Sequence, residues 1–282
     1  MKSNHFTRRT LLGAACGAVL ATTAEAKPRK VPIGIELYSV RDELSKDLFG
    51  TVTRVAKMGY EVVEFFSPYS AWTPDYARQV RKLMDDLGIK CLSLHTGRQD
   101  FEGDRLKHVI ELNQIVGSKT MVMSSAGRTE TKDDWKGVAD LLTSTAQILQ
   151  PLKMRTGYHN HQLEFTNKDG FLPMPFLAAN TPRNVTLQFD VGTCMEMGND
   201  PIAWVKQNPG RIRSLHLKDW GKGPDRGFSV LFGEGDTPWK ELLQAAATIG
   251  GAECFLIEQE GSRYSQFETA ERCLASYHKL RG

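Results

Sequence analysis

The chain has 282 residues, 40% of them hydrophobic and 24% charged. That is ordinary globular usage and excludes a mainly disordered chain, a fibre or a bundle of membrane spans. Lys+Arg 36 against Asp+Glu 33 gives a net charge of +3. Most of this excess sits in the first 26 residues, which carry Lys2, Arg8 and Arg9 against Glu25. The rest is close to neutral and lacks the basic excess that binds nucleic acid.

Residues 1–26 read as an export signal. Arg8-Arg9 precedes a weakly apolar run from Leu11 to Ala24, and Ala24-Glu25-Ala26 has the A-x-A form of a cleavage site. The run is too short and too rich in Ala and Gly for a stable membrane span. The arginine pair resembles a twin-arginine signal, so periplasmic delivery of a folded protein is expected, with no membrane attachment after cleavage. Residues 27–282 then form one domain, about the length of a single α/β barrel of roughly 250 residues.

From Val31 onward, short apolar runs alternate with amphipathic ones. The expected strands are Ile33–Ser39, Val62–Phe66, Lys90–Leu94, Thr120–Met123, Arg155–His159, Val185–Phe189, Ile212–Leu217 and Phe255–Glu258. They are short, apolar and bounded by turn residues, as strands buried on both faces are. Three-to-four-residue apolar spacing predicts helices over Asp47–Met58, Pro74–Leu87, Gly103–Val116, Asp133–Lys153, Pro201–Asn208, Trp239–Ile249 and Phe267–Leu280. Leu172–Ala179 carries two prolines and is a weaker helix. Gly59, Gly88, Gly117 and Gly250 stand where helices stop.

Eight strands alternating with eight helices predict a single (β/α)8 barrel. An open doubly wound sheet would want a glycine-rich phosphate turn after the first strand. Ser39-Val40-Arg41-Asp42 stands there instead. The four cysteines after the leader, Cys91, Cys194, Cys254 and Cys273, form no C-x-x-C pair and read as buried thiols.

In such a barrel the chemistry sits at the carboxyl ends of the strands. The polar residues there are Glu36, Glu64, His95, His159, His161, Glu164, Asp190, His216, Lys218 and Glu258. Four of the seven histidines gather at this rim. Asp190, His216 and Glu258 end three consecutive strands, about 4.8 Å apart, so they can converge on one ion. A fourth ligand is expected from the fifth strand. An oxygen-rich set with one imidazole suits Mn, Mg, Co or Zn. Trp72, Trp220, Phe66 and Phe101 fall in the rim loops, where they either face a sugar ring or simply pack.

The sequence resembles the xylose-isomerase-like barrel superfamily, the sugar phosphate isomerases/epimerases. The resemblance rests on Ile33–Asp42, Gly59–Glu64, Gly157-Tyr158-His159-Asn160-His161 with Glu164-Phe165, Phe189–Thr193, His216-Leu217-Lys218-Asp219, Gly233-Glu234-Gly235 before Trp239, and Ile257-Glu258-Gln259. It implies one divalent metal held by a Glu, an Asp, a His and a Glu on strands five to eight. Asp190, His216 and Glu258 match. Gly157 stands where many relatives carry the first Glu, so Glu164 is expected to fold back into the space the glycine leaves. His161 is the competing ligand.

The implied chemistry is proton transfer beside a carbonyl of an unphosphorylated keto-sugar or polyol derivative. Glu164 and Glu258 would be acid and base, and His161 or His95 would move protons among the oxygens. Lys218 would steady an oxyanion, while Glu36, Glu64, His95 and His159 would contact the sugar. A lyase or hydratase acting on 3-keto-glycosides through the same enolate, and a non-catalytic sugar-binding barrel, are the alternatives. The endonuclease branch is disfavoured, because Thr193 and Cys194 stand where it wants histidine. A homodimer stays open.

Overall fold

A computed structural model of the chain describes residues 1, 30–168 and 170–281. The export signal and its cleavage site fall outside the described residues. Eight parallel strands close into a barrel in sequential order: β1 Ile33–Glu36, β2 Val62–Phe65, β3 Lys90–Gly97, β4 Thr120–Ser125, β5 Arg155–His159, β6 Thr186–Asp190, β7 Ser214–Leu217 and β8 Cys254–Ile257. The last pairing, β1 with β8, runs through Ile33–Phe255 and Ile35–Ile257. Closure removes both sheet edges, so every strand is hydrogen-bonded on two sides.

Ten helices are described: α1 Arg41–Lys46, α2 Leu48–Met58, α3 Pro74–Leu87, α4 Gly103–Val116, α5 Lys132–Leu149, α6 Pro173–Asn180, α7 Val191–Glu196, α8 Pro201–Gln207, α9 Trp239–Ala245 and α10 Gln266–Arg281. Their ends follow local chemistry. Thr73 accepts a hydrogen bond from Tyr76 N at the start of α3, where Pro74 needs no amide partner. Gly88 ends that helix at φ +69°, a conformation costly for any residue with a Cβ. A reciprocal Thr131–Asp134 capping box starts α5. None of the described helices is long and apolar enough to cross a membrane.

The first strand is shorter than expected. It stops at Glu36, and Leu37–Val40 forms a 3-10 turn whose first amide is taken by the Glu36 carboxylate. An acceptor at the strand end thus competes with the sheet for the next N–H. Two short helices, α1 and α7, were not anticipated. Both occupy carboxyl-side loops, where polar sequence hides short helical turns.

Apolar side chains from the outer strand faces and the inner helix faces form the main core, around Phe65, Leu94, Trp135, Leu142, Tyr158, Phe189 and Phe255. A separate group, Val62, Cys254 and Leu256, joins within the barrel. The four cysteines among the described residues are buried and free. Strand periodicity then decides which polar residues enter the lumen. Residues two apart share a face, so Gly157 lies below His159, Gln188 below Asp190 and Ser214 below His216.

Candidate active site

The carboxyl mouth holds Glu36, Glu64, His95, His159, Asp190, His216, Lys218 and Glu258, all buried. Register sets neighbours side by side: Glu36 opposite Glu64, and Asp190 opposite His216. Above them is a cavity of about 490 Å³ lined by Glu36, Tyr38, Phe66, His95, Ser124, His159, His161, Lys218, Phe228 and Glu258, among others.

Three imidazoles crowd its floor. The rings of His95 and His216 stack at 5.0 Å, and His159 lies 4.6 Å from the first and 4.5 Å from the second. His216 is held between two carboxylates. Its Nε2 is 2.8 Å from Glu64 Oε1, and its Nδ1 is 2.5 Å from Glu258 Oε2. Burial would pull the His216 pKa down, but Glu258 and Glu64 outweigh it and hold the ring well above the ordinary histidine range. His159 has no such partner. Burial and the neighbouring His216 and His95 push its pKa well below the usual value.

The carboxylates differ in the same way. Burial would raise Glu64, yet His95 and His216 bring it down to about 2. Burial would also raise Glu258, but Lys218 and then His216 hold it well below the usual range. Glu36 and Asp190 are raised, chiefly by burial; at Glu36 the charge of Glu64 adds to it, and at Asp190 Lys218 offsets part of it. Lys218 is itself held above its ordinary range, because Glu258, Asp190 and Glu260 outweigh its burial. Its Nζ pairs with Glu260 and lies 3.7 Å from both Asp190 Oδ2 and Glu258 Oε1.

The donor set fits a divalent cation. Glu64 and Glu258 are paired with His216 and Lys218, while Glu36 and Asp190 are raised by burial, and the carboxylate oxygens and imidazole nitrogens gathered here are the donors that a divalent ion takes. Asp190 Oδ2 and His159 Nδ1 are buried with no hydrogen-bond partner. Ligand atoms of His159, Asp190 and Glu258 lie within 4.8 Å of one another, and so do those of His95, His159 and His216. Asp190 keeps its other oxygen on Thr193 N, capping α7, so its aim is fixed.

The structure therefore brings Asp190 and Glu258 together as expected, with His216 bonded to Glu258. The contribution of β5 differs from expectation. The β5 residue that lies beside Asp190 and Glu258 is His159, the lumen-facing residue at the strand end. Glu164 stands elsewhere: its oxygens accept from Tyr158 Oη at 2.6 Å and His161 N at 2.7 Å. Tyr158 faces outward, packing against Trp135 of α5, so Glu164 is drawn away from the lumen. Nor does Gly157 leave room for a carboxylate. A Cβ there would lie 2.9 Å from Thr186 O. His161 sits at the rim, exposed, beside His159.

Glu64 also departs from the expected contact with sugar. It is fully buried beneath the cavity and is bonded by Ser93 Oγ, Gln188 Nε2 and His216 Nε2. Gln188, Ser93 and Ser214 were not singled out in the sequence, although Gln188 is two residues before Asp190 and so shares its face. Asp219 was likewise missed as an anchor. Its Oδ2 accepts from Gly233 N, Gly235 N and Trp239 Nε1, and its Oδ1 from Trp220 N. A Cβ at position 235 would meet Asp219 Oδ1 at 2.1 Å, which is why glycine stands there. The loop so pinned carries Phe228, whose ring lies 5.1 Å from Lys218 Nζ. Of the rim aromatics, Phe66 meets Tyr38 edge-on at the cavity. Trp72 packs on Phe65 and Tyr76, and Phe101 is buried.

Comparison with known proteins agrees with this architecture. A sugar phosphate isomerase/epimerase from Parabacteroides distasonis ATCC 8503 superposes with a TM-score of 0.72 at 24% identity, over 90% of this chain and 96% of that one. The IOLI protein solved with a zinc atom gives a TM-score of 0.67 at 19% identity, over 89% and 96%. An inosose dehydratase from Clostridium tetani (strain Massachusetts / E88) is 29% identical over 93 residues, 32% of this chain and 30% of its own length. The family model described as xylose isomerase-like TIM barrel matches residues 52–277, most of the described barrel, and the chain belongs to that family.

Proposed function

We propose that this protein is a divalent-metal-dependent sugar isomerase or epimerase that moves a proton at the carbon beside a carbonyl of an unphosphorylated keto-sugar or polyol derivative. One observation carries the reading. At the mouth of the barrel, buried carboxylates and imidazoles, with Asp190 Oδ2 and His159 Nδ1 making no hydrogen bond, lie at a cavity of sugar size. Structural neighbours named L-ribulose 3-epimerase and D-psicose 3-epimerase support the class of reaction.

His159, Asp190 and Glu258 would hold the ion, with His216 alongside Glu258. When bound, a divalent metal supplies Lewis acidity that polarises a carbonyl and its neighbouring hydroxyl. The chain's own groups handle the protons. Glu258 is held ionised by Lys218 and His216 and is placed to accept a proton. Glu36 lines the same cavity, and burial with the charge of Glu64 raises it well above the usual carboxylate range, so it is placed to return one. Lys218, fixed by Glu260, donates toward negative charge developing on a substrate oxygen. His161 reaches the rim and would exchange protons with solvent.

The similarity to an inosose dehydratase favours a second reading, elimination from a 3-keto-glycoside or related ketone through the same enolate. Metal analysis of the purified protein, followed by incubation with keto-sugars in D2O, separates the two. An isomerase or epimerase leaves the product with the substrate's composition and one solvent-derived deuterium. A lyase or dehydratase releases an aglycone or water. Metal-loaded protein that catalyses neither exchange nor elimination across the panel would leave only a sugar-binding barrel. Export to the periplasm by the twin-arginine route is part of the proposal. Fractionation of cells expressing either the native chain or a double variant, Arg8→Lys with Arg9→Lys, tests it. The double variant is expected to be retained inside the cell.

A further inference from the structure

The hydrogen bonds below the cavity floor have a direction. Gln188 lies between His95 and Glu64. Its Nε2 is 2.8 Å from Glu64 Oε2 and 3.0 Å from Ser214 Oγ, while its Oε1 is 2.5 Å from His95 Nε2. A carboxylate only accepts, so the amide edge facing Glu64 is the NH2 group. The carbonyl oxygen is then left for His95. A carbonyl also only accepts, so His95 Nε2 carries the hydrogen. Glu64 Oε1, 3.0 Å from the same nitrogen, makes the same demand.

Nδ1 of a neutral His95 is then bare. It lies on the side of Glu36, with Nδ1 to Glu36 Oε1 at 3.9 Å, and both residues line the cavity. One acceptor-only group below the ring is enough to orient it. Two such groups, one of them fixed through an amide, exclude the alternative tautomer.

We propose that Glu64 and Gln188 act as positioning residues that lock His95 in its Nε2–H tautomer, so that Nδ1 faces the cavity as the acceptor for a substrate hydroxyl proton. This rests on the proton-transfer function proposed above. The hydroxyl proton passes to Nδ1, the resulting imidazolium remains bonded to Glu64 and Gln188, and the proton returns to oxygen when product forms. The assignment also explains why Glu64, a carboxylate at a strand end, is sealed from the cavity: it acts on the ring and not on the sugar.

The test needs neither metal nor substrate, so its failure is distinct from failure of the proposed reaction. In protein labelled with 15N-histidine, two-bond 1H–15N correlations of His95 report which ring nitrogen bears hydrogen. The wild type is expected to show Nε2–H with Nδ1 bare. Gln188→Met keeps the volume and removes the amide, and Glu64→Gln replaces an acceptor-only group by an amide that can turn over. Each is expected to move the His95 shifts toward a mixture of tautomers. In the proton-exchange assay, each is expected to lower kcat at least tenfold with KM changed less than threefold; a sugar-binding role for Glu64 would instead raise KM. A wild-type His95 with hydrogen on Nδ1 overturns the proposal. So do unchanged shifts in Gln188→Met, the milder variant, whether or not Glu64→Gln folds.

Discussion

The two mouths of this barrel both hold clustered charge, and they use it differently. At the amino mouth Arg155 sits against Glu253 in a fork, with Nη1–Oε1 at 2.9 Å and Nη2–Oε2 at 2.5 Å, and Arg213 adds a bond of 2.7 Å to the same carboxylate. Each carboxylate oxygen has a cationic donor. At the carboxyl mouth the carboxylates share Lys218 and His216, and Asp190 Oδ2 and His159 Nδ1 make no hydrogen bond. The larger cavity, about 880 Å³, lies at the amino mouth, lined by Lys90, Lys119, Lys153 and Arg155; the smaller one lies over the carboxylate and imidazole cluster. Size therefore does not mark the site. Buried polar atoms left without hydrogen bonds do, because such a group persists only where something else compensates it.

The sharpest way to break this comparison is Asp190→Asn. Asparagine keeps the α7 cap on Thr193 N but removes the charge. Metal content should fall, and catalysed proton exchange should slow by about 10²–10⁴-fold. Thermal stability of the metal-free protein should change little, since Asp190 is raised by burial and Lys218 keeps Glu258 and Glu260 as partners. A loss of stability with metal content unchanged would make the two mouths alike.

The reverse is expected at Glu253→Gln. Losing the fork should cost about 1–3 kcal/mol in urea unfolding, the pair being partly solvated, with exchange per folded molecule unaffected. The pH dependence has a definite sign. Burial would raise Glu253, but Arg155 and Arg213 hold it below 4.5 when folded. Its contribution is complete above the unfolded value of 4.5 and is lost as pH falls through the lower folded value. Wild type should therefore lose melting temperature faster than the variant below pH 4.5.

Gly157→Ala probes the lumen between the mouths. Its Cβ would press on Thr186 O, and the overpacking should cost about 1–3 kcal/mol by thermal melting, with metal still bound by the folded fraction. The smallest effect is expected at Glu164→Gln. Loss of charge toward Tyr158 Oη and His161 N should cost about 1 kcal/mol, with metal content unchanged. Loss of metal in that variant would return Glu164 to the ligand set.

Much of the molecule was legible in the residues. Eight apolar runs bounded by turn signals, with glycines at helix ends, gave the barrel because each unit's period and punctuation are local properties. Asp190, His216 and Glu258 could be placed at one mouth because a strand's last residue is known once the strand is. The misplacement of Glu164 had a definite cause: spacing along a loop says nothing about which side of the wall the loop returns on. His159 shares the strand-end position, and two-residue periodicity puts it in the lumen, but from sequence it is expected to contact the sugar, and only Glu164 and His161 are weighed as the fourth ligand.

What sequence alone determined was the order of strands and helices, and hence the ring of polar residues at their carboxyl ends, since both follow from patterns a few residues long. Closure of the barrel decided the rest. It placed Glu64 and Gln188 beneath His95 from strands more than a hundred residues apart, turned Glu164 outward onto Tyr158, and left Asp190 Oδ2 and His159 Nδ1 without hydrogen bonds. Hydrogen-bond partners and charge balance depend on distances across the lumen, and those exist only once the first strand meets the last.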